Sequence, residues 1–251
     1  MDTTLQTFQV SQGRAEYLCR LADGLVNTRK RGMRQDWARS FRKMMGWKTD
    51  ATIDRVDGRD AVVVLRHDSR LLANDFDIKA VSDLYRAALV MTVSAMDAYF
   101  HAKVLRYVVT QSKKQKPSKS LMNCKISVSD FVRGNSMKRR NSALKAAIAR
   151  QLSYQSFQTP EKIQEALNLI GVKDIWNKVA DKLGTDKDEI EKTIKGIVDR
   201  RNKIAHEGDV SQSVKARNAH REIQPKMVKD ALDLITKVVG AAEDIINTEV
   251  K

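Results

Sequence analysis

The stretch "VDRRNKIAHEGD" (198–209) places Arg201, Asn202 and His206 within six residues. Imidazole ordinarily titrates near pH ~6.5 and takes and gives protons near neutrality. Guanidinium offers a planar, two-pronged donor to phosphate and stabilises charge growing on its oxygens. An asparagine amide can orient a phosphate or the imidazole. At about 100° per residue, Ile190, Ile194, Ile197 and Ile204 form one apolar stripe, and Arg201 falls inside it. A guanidinium is costly to bury unpaired, so this one either snorkels its head to water or meets an anion or an interface. Asn202 and His206 stand four apart on a neighbouring face. Gly208 is placed to end the helix, which puts His206 in its last turn. Capping the last carbonyls is an alternative duty for His206, but it leaves Arg201 and Asn202 unexplained. Arg200 either supplements Arg201 on the phosphate or faces water, and water is the favoured reading.

A second constellation is Asp97 and His101, four apart on an otherwise apolar segment, with Ser94 on their side and Tyr99 nearby. A buried carboxylate and imidazole either satisfy each other in the core or line a site. His67 and His220 have no partner at helical spacing and stay outside the candidate site. The two cysteines, Cys19 and Cys124, lie far apart, which argues for a reducing compartment. No carboxylate cluster or Cys/His set proposes a metal, and no cofactor is expected.

The elements that must position these groups read as helical. Of the 251 residues 42% are hydrophobic, with only three prolines and eleven glycines, a composition for a folded helical chain. The strongest helix runs from about Asp77 to Thr110 and is apolar all round, as a central helix would be. Asn141–Leu152 reads as a basic amphipathic helix, and Ser127 or Ser129 caps a short one through Phe131. Thr159-Pro160, Asp174–Leu183 before Gly184, Thr185-Asp186 and Pro225 punctuate the helices that follow. Residues 3–28 and 35–46 look like two helices separated by "RKRG", while 52–68, with its Asp57-Gly58 turn signal, is either a strand or an irregular crossover. The fold class is therefore an all-α helical bundle. A basic N-terminal segment (1–75) packs on a main helical domain (76–251).

The formal net charge is +15, which favours polyanions, nucleic acid first. Residues 29–48 carry eight Lys and Arg against the single acid Asp36, with Trp37, Phe41 and Trp47 interleaved. At this spacing the aromatics serve either as core or as base-stacking platforms. Lys113, Lys114, Lys116 and Lys119 form a second cluster in a polar loop, and Lys138, Arg139 and Arg140 a third. No apolar run reaches membrane-spanning length and no signal-peptide layout opens the chain, so a cytoplasmic protein is expected.

At Arg201–His206 the chain resembles the R-x4–6-H signature of the HEPN superfamily. The likeness extends through "SFQTPEKIQEALNLIGVKDIW", "DEIEKTIKGIVDRRNKIAHEGD" and "ALVMTVSAMDAYFHAKVL", which together look like the RiboL-PSP branch, over roughly residues 76–250. The resemblance implies a metal-independent endoribonuclease that leaves 2′,3′-cyclic phosphate and 5′-hydroxyl ends. Its site would be shared between two protomers of a homodimer, and its role that of a toxin or antiphage effector with an antitoxin or regulatory partner. Carried over here, His206 is general base or acid, Arg201 stabilises the phosphorane and Asn202 positions the phosphate. Acidic residues on the equivalent of the central helix often lie near the signature arginine, which brings in Asp97 and His101, with Tyr99 behind them. The alternative is a non-catalytic module that binds nucleic acid or a protein through its basic face.

Overall fold

A computed structural model of the chain describes residues 3–66, 69–125, 127–129, 132, 140–210 and 220–250. Its axis is α3 (Ile78–Ser112), started by the Asp77 carboxylate, which accepts the Ala80 N–H at 2.8 Å. Leu89, Val93, Met96, Phe100 and Val104 of this helix are wholly buried. Each such side chain contributes roughly 1.5–3 kcal/mol relative to exposure. The all-round apolar pattern has this cause: α1 (Thr3–Leu25), α5 (Arg140–Leu152), α6 (Pro160–Leu169), α8 (Lys187–Glu207) and α9 (Pro225–Glu249) all pack on α3. Among the described residues two further helices, α4 (Lys119–Met122) and α7 (Ile175–Leu183), join the bundle.

Local chemistry sets the helix ends. The Thr159 hydroxyl caps α6 ahead of Pro160, Pro225 opens α9, and Gly184 ends α7 in the left-handed conformation at φ 62°. The cap of α8 is Asp186 rather than Thr185; its carboxylate accepts the Glu189 N–H at 3.0 Å.

The first 75 residues divide in two, and they are not helical throughout. Helix α1 belongs to the bundle: Phe8 meets Tyr99 edge-on at 5.9 Å, and Gln12 Nε2 donates to the Leu232 carbonyl of α9 at 3.0 Å. After it come β1 (Asn27–Gly32), α2 (Gln35–Met45), β2 (Asp54–Gly58) and β3 (Val62–Leu65). The three strands form an antiparallel sheet in the order β1-β2-β3. "RKRG", expected as a break between helices, lies in β1, because its backbone pairs with β2. Of the two readings of 52–68, the strand is the one observed. Val56, Leu65, Ala73 and Phe76 give this module a small core of its own. Gly58 is needed where the β2–β3 turn meets the end of α1, since a Cβ there would stand 2.5 Å from the Gly24 carbonyl oxygen. Phe76 leads directly into α3, so the module sits at the N-terminal end of the central helix.

Candidate active site at the end of helix α8

The apolar stripe of α8 buries Ile190, Ile194 and Ile197. Arg201 continues it one turn on, where burial is only partial. Its Nη1 donates to the Asn202 side-chain oxygen at 3.0 Å, while its Nε is buried with no hydrogen-bond partner. Leaving a buried donor unmade costs ~1–3 kcal/mol. Among the described residues nothing supplies an acceptor to this Nε. One turn later His206 is exposed in the last turn, and Gly208 closes the helix at φ 60°. His206 has no ring or hydrogen-bond partner among the described residues, so its imidazole is open to a ligand.

Asp209 holds this end in place. It takes a left-handed backbone conformation at φ 57°, unusual for a residue with a side chain. Its buried carboxylate lies 2.8 Å from Arg86 Nε of α3 and 2.8 Å from Arg200 Nη1. Arg86 Nη2 and Arg200 Nη2 also donate to the Arg221 carbonyl, at 2.6 and 3.3 Å. Arg200 thus turns inward rather than to water, because Asp209 supplies its counter-charge. Burial lowers the Arg200 pKa and Asp209 opposes that fall. The neighbouring arginines have separate duties: Arg200 joins the end of α8 to the segment entering α9, and Arg201 keeps an unfilled edge. Sequence reasoning passed over both Asp209 and Arg86. An acid after a glycine reads as a turn, and its partner lies 123 residues away.

His220, set aside earlier for want of a partner, returns to this end. It forms an isolated antiparallel bridge with Val210, and its Nδ1 lies 2.9 Å from the Gly208 carbonyl. A carbonyl only accepts, so Nδ1 carries the proton. His67 lies outside the described residues.

The second constellation is satisfied internally. Asp97 accepts from the Phe157 N–H at 2.6 Å and from Gln158 Nε2 at 3.1 Å. His101 Nε2 donates to the Gln155 carbonyl at 3.0 Å, with Asp97 Oδ1 at 3.4 Å, and its ring stacks on Phe157 with centroids 4.0 Å apart. The pair anchors the segment that enters α6. Tyr99 is a core residue: its hydroxyl donates to Glu243 at 2.6 Å, and Glu243 also holds Lys103, which has 0% of its surface exposed, at 2.5 Å. A wholly buried ammonium needs that carboxylate. Among the described residues, no buried side-chain polar atom of Asp97, His101 or Tyr99 lacks a hydrogen-bond partner, in contrast to Arg201.

Lys113, Lys114 and Lys116 are exposed just beyond α3. At ~1.5 Å per residue they stand roughly 40 Å along α3 from Arg86, at the opposite end of the bundle from His206. Lys114 and Lys116 line a cleft there with Asp174 and Glu249. Arg140 is the first residue of α5; Lys138, Arg139 and the expected helix end at Phe131 lie outside the described residues. Among the described residues no group of three or more His, Cys, Asp or Glu side chains converges as a metal set, and no helix is long and apolar enough to cross a membrane.

Comparison with known proteins adds one match. The model of a family described as RiboL-PSP-HEPN matches residues 64–248, which take in α3 to α8 and nearly all of α9. No curated protein and no solved structure matches the chain.

Proposed function

This chain belongs to the RiboL-PSP-HEPN family, whose model covers about three quarters of it, and from that premise we propose that it is an endoribonuclease working without a metal at the end of α8. The observation that carries the reading is the unfilled Nε edge of Arg201, beside Asn202 and one turn before an exposed imidazole. An RNA phosphate supplies the missing acceptor. The ribose 2′-oxygen then attacks the adjacent phosphorus as its proton leaves. The P–O5′ bond breaks, and the products are a 2′,3′-cyclic phosphate and a 5′-hydroxyl. His206 serves as the general base or acid, Arg201 stabilises charge on the phosphorane oxygens, and Asn202 positions the phosphate. The Arg86–Asp209–Arg200 network ties the helix end to α3, which favours catalysis by positioning.

HEPN domains bind RNA and often dimerise. A second copy facing α8 would cover the Arg201 edge and bring a second His206 to one composite site. A toxin or defence effector held by an antitoxin or regulatory partner, acting on cytoplasmic RNA, is the corresponding role. The distal Lys113–Lys116 loop adds to the field that draws RNA in, rather than touching the scissile phosphate of its own protomer.

The test is a digest of total RNA by the purified protein in chelator, wild type beside Arg201→Gln. Cleavage leaving cyclic-phosphate ends, lost in the variant, supports the reading. RNA that is bound but uncut by wild type in any oligomeric state refutes it and assigns the chain to the binding modules.

A further inference from the structure

The N-terminal module carries a cleft outside the segment that the family model matches. One wall is α2, where Gln35, Ala38, Arg39, Arg42 and Lys43 follow the i, i+3, i+4 rule and face the same way. The other wall is the return segment, with Trp47, Thr49, Thr52 and Ile53. The cleft holds about 670 Å³, within the ~300–1,000 Å³ usual for ligand sites. Its lining contains three cations, one indole, and hydroxyl and amide groups, with no carboxylate. The clefts at Lys116–Glu249 and at Arg59–Asp230 mix both signs of charge.

The parts are held differently. Arg42 Nε donates to the Ala51 carbonyl at 2.7 Å, which ties helix to return segment. Trp47 packs edge-on against Phe41 at 5.6 Å, and the Arg66 guanidinium stands over its ring at 5.6 Å. Arg39 and Lys43, by contrast, are exposed and form no ion pair with the described residues. An aromatic ring packed on Phe41, beside two cations without ion pairs among the described residues, suits a polymer with a π-face and a phosphate in every unit. Placement narrows the choice further. The β2–β3 turn, the start of α3 and the start of α9 meet around Arg59, Ile78 and Pro225. The module therefore lies at the same end of the bundle as the Arg86–Asp209 anchor of α8, and not at the end with the lysine loop.

We propose that this cleft is a binding site for single-stranded RNA, with phosphates on Arg39 and Lys43 and a base against Trp47. It rests on the ribonuclease reading only for the identity of the polymer. The probe is a labelled twelve-nucleotide RNA with every 2′-hydroxyl methylated, which cannot be cut by 2′-oxygen attack, titrated with the full chain by anisotropy. Arg39→Gln/Lys43→Gln removes two exposed, unpaired cations and leaves the fold intact. Its affinity should fall about tenfold at low salt, and the slope of log K against log salt should flatten by about 1.4, at ~0.7 per phosphate contact. In Trp37→Phe protein the remaining emission comes from Trp47 and the buried Trp176, and it should quench on saturation with the oligomer. Unchanged affinity and slope in the double variant overturn the site, even where wild type cleaves RNA. Competition by polyglutamate as effective as that by RNA also overturns it, in favour of an acidic protein partner. If no protein cleaves RNA but the double variant still loses affinity, the cleft stands and the nuclease reading falls.

Discussion

His101 and His206 each stand four residues after a polar side chain on their own helix, Asp97 and Asn202, yet their surroundings are opposite. His101 is held, half-buried, by the Gln155 carbonyl, Asp97 and the face of Phe157. His206 sits in a final helical turn with its ring exposed. The adjacent arginines repeat the contrast: Arg200 has a carboxylate and two carbonyls, while Arg201 has an asparagine oxygen and an unfilled Nε. Residue type and spacing do not tell a structural imidazole or guanidinium from a working one. We propose that the difference lies in whether the folded chain has already used up the group's bonding capacity.

The contrast breaks most sharply at the two histidines. His206→Ala should lower RNA cleavage by about 10²–10⁴, the usual worth of general acid–base catalysis, with no change in melting temperature. His101→Ala should do the reverse. It keeps cleavage within a few-fold, and it loses ~1–2 kcal/mol of stability with one hydrogen bond and one stacked ring. Side-by-side melting curves and rates read both; a slow but fully stable His101→Ala would put Asp97 and His101 back in the site.

The arginine pair comes next. Arg201→Lys keeps the charge but loses the planar fork, so the rate should drop by about 10²–10³, as when one transition-state donor is removed. Saturation binding of methylated RNA should change far less. Equal losses in rate and affinity would mean that Arg201 only grips the ground state.

Asp209→Asn tests the anchored side. Asparagine tolerates the left-handed backbone, so the change isolates the charge, leaving the buried Arg86 and the half-buried Arg200 without their shared carboxylate. A loss of ~3 kcal/mol is expected, near the lower end for breaking a buried pair. At ~2–4 °C per kcal/mol in a chain of this size, thermal denaturation resolves it easily. A variant that melts with wild type would show the network to be dispensable.

How far these surroundings were legible beforehand depends on the range of the interaction. The ends of α6, α7, α8 and α9 were readable, since Pro160, Gly184, Gly208 and Pro225 act within one turn. The all-round apolar character of α3 likewise announced a central helix. Strand β1 was not readable: "NTRKRG" has no alternation of apolar and polar residues, and its extended form comes from pairing with β2. Lys103 shows the same limit, because its partner Glu243 lies on another helix. In the site itself, the Arg201–His206 spacing was visible in sequence. The inward turn of Arg200 was not, because it depends on Asp209 being held by Arg86 from α3.

The smallest effect concerns acid, and it separates titrations that hold the fold from those that serve the site. Asp23 of α1 accepts the Tyr85 hydroxyl of α3 at 2.6 Å and pairs with Lys229 of α9 at 2.5 Å. Burial pushes its pKa up, but the bonds from Lys229 and Tyr85 outweigh burial and bring it below 3.8. A folded-state value below the unfolded one means that the carboxylate stabilises the fold above the unfolded pKa of ~3.9. That contribution disappears as pH falls through the folded value. Wild type should therefore lose a fraction of a kcal/mol between pH 5 and about 3 that Asp23→Asn, already without the charge, does not lose; ~1 kcal/mol bounds a partly exposed pair. Urea midpoints at pH 7, 5, 4 and 3 would show the two curves converging in acid. Parallel curves would mean that the three-helix junction draws nothing from the charge on Asp23. Because Asp23 is already paired, the substitution should move those midpoints while the RNA cleavage rate at neutral pH stays where it was.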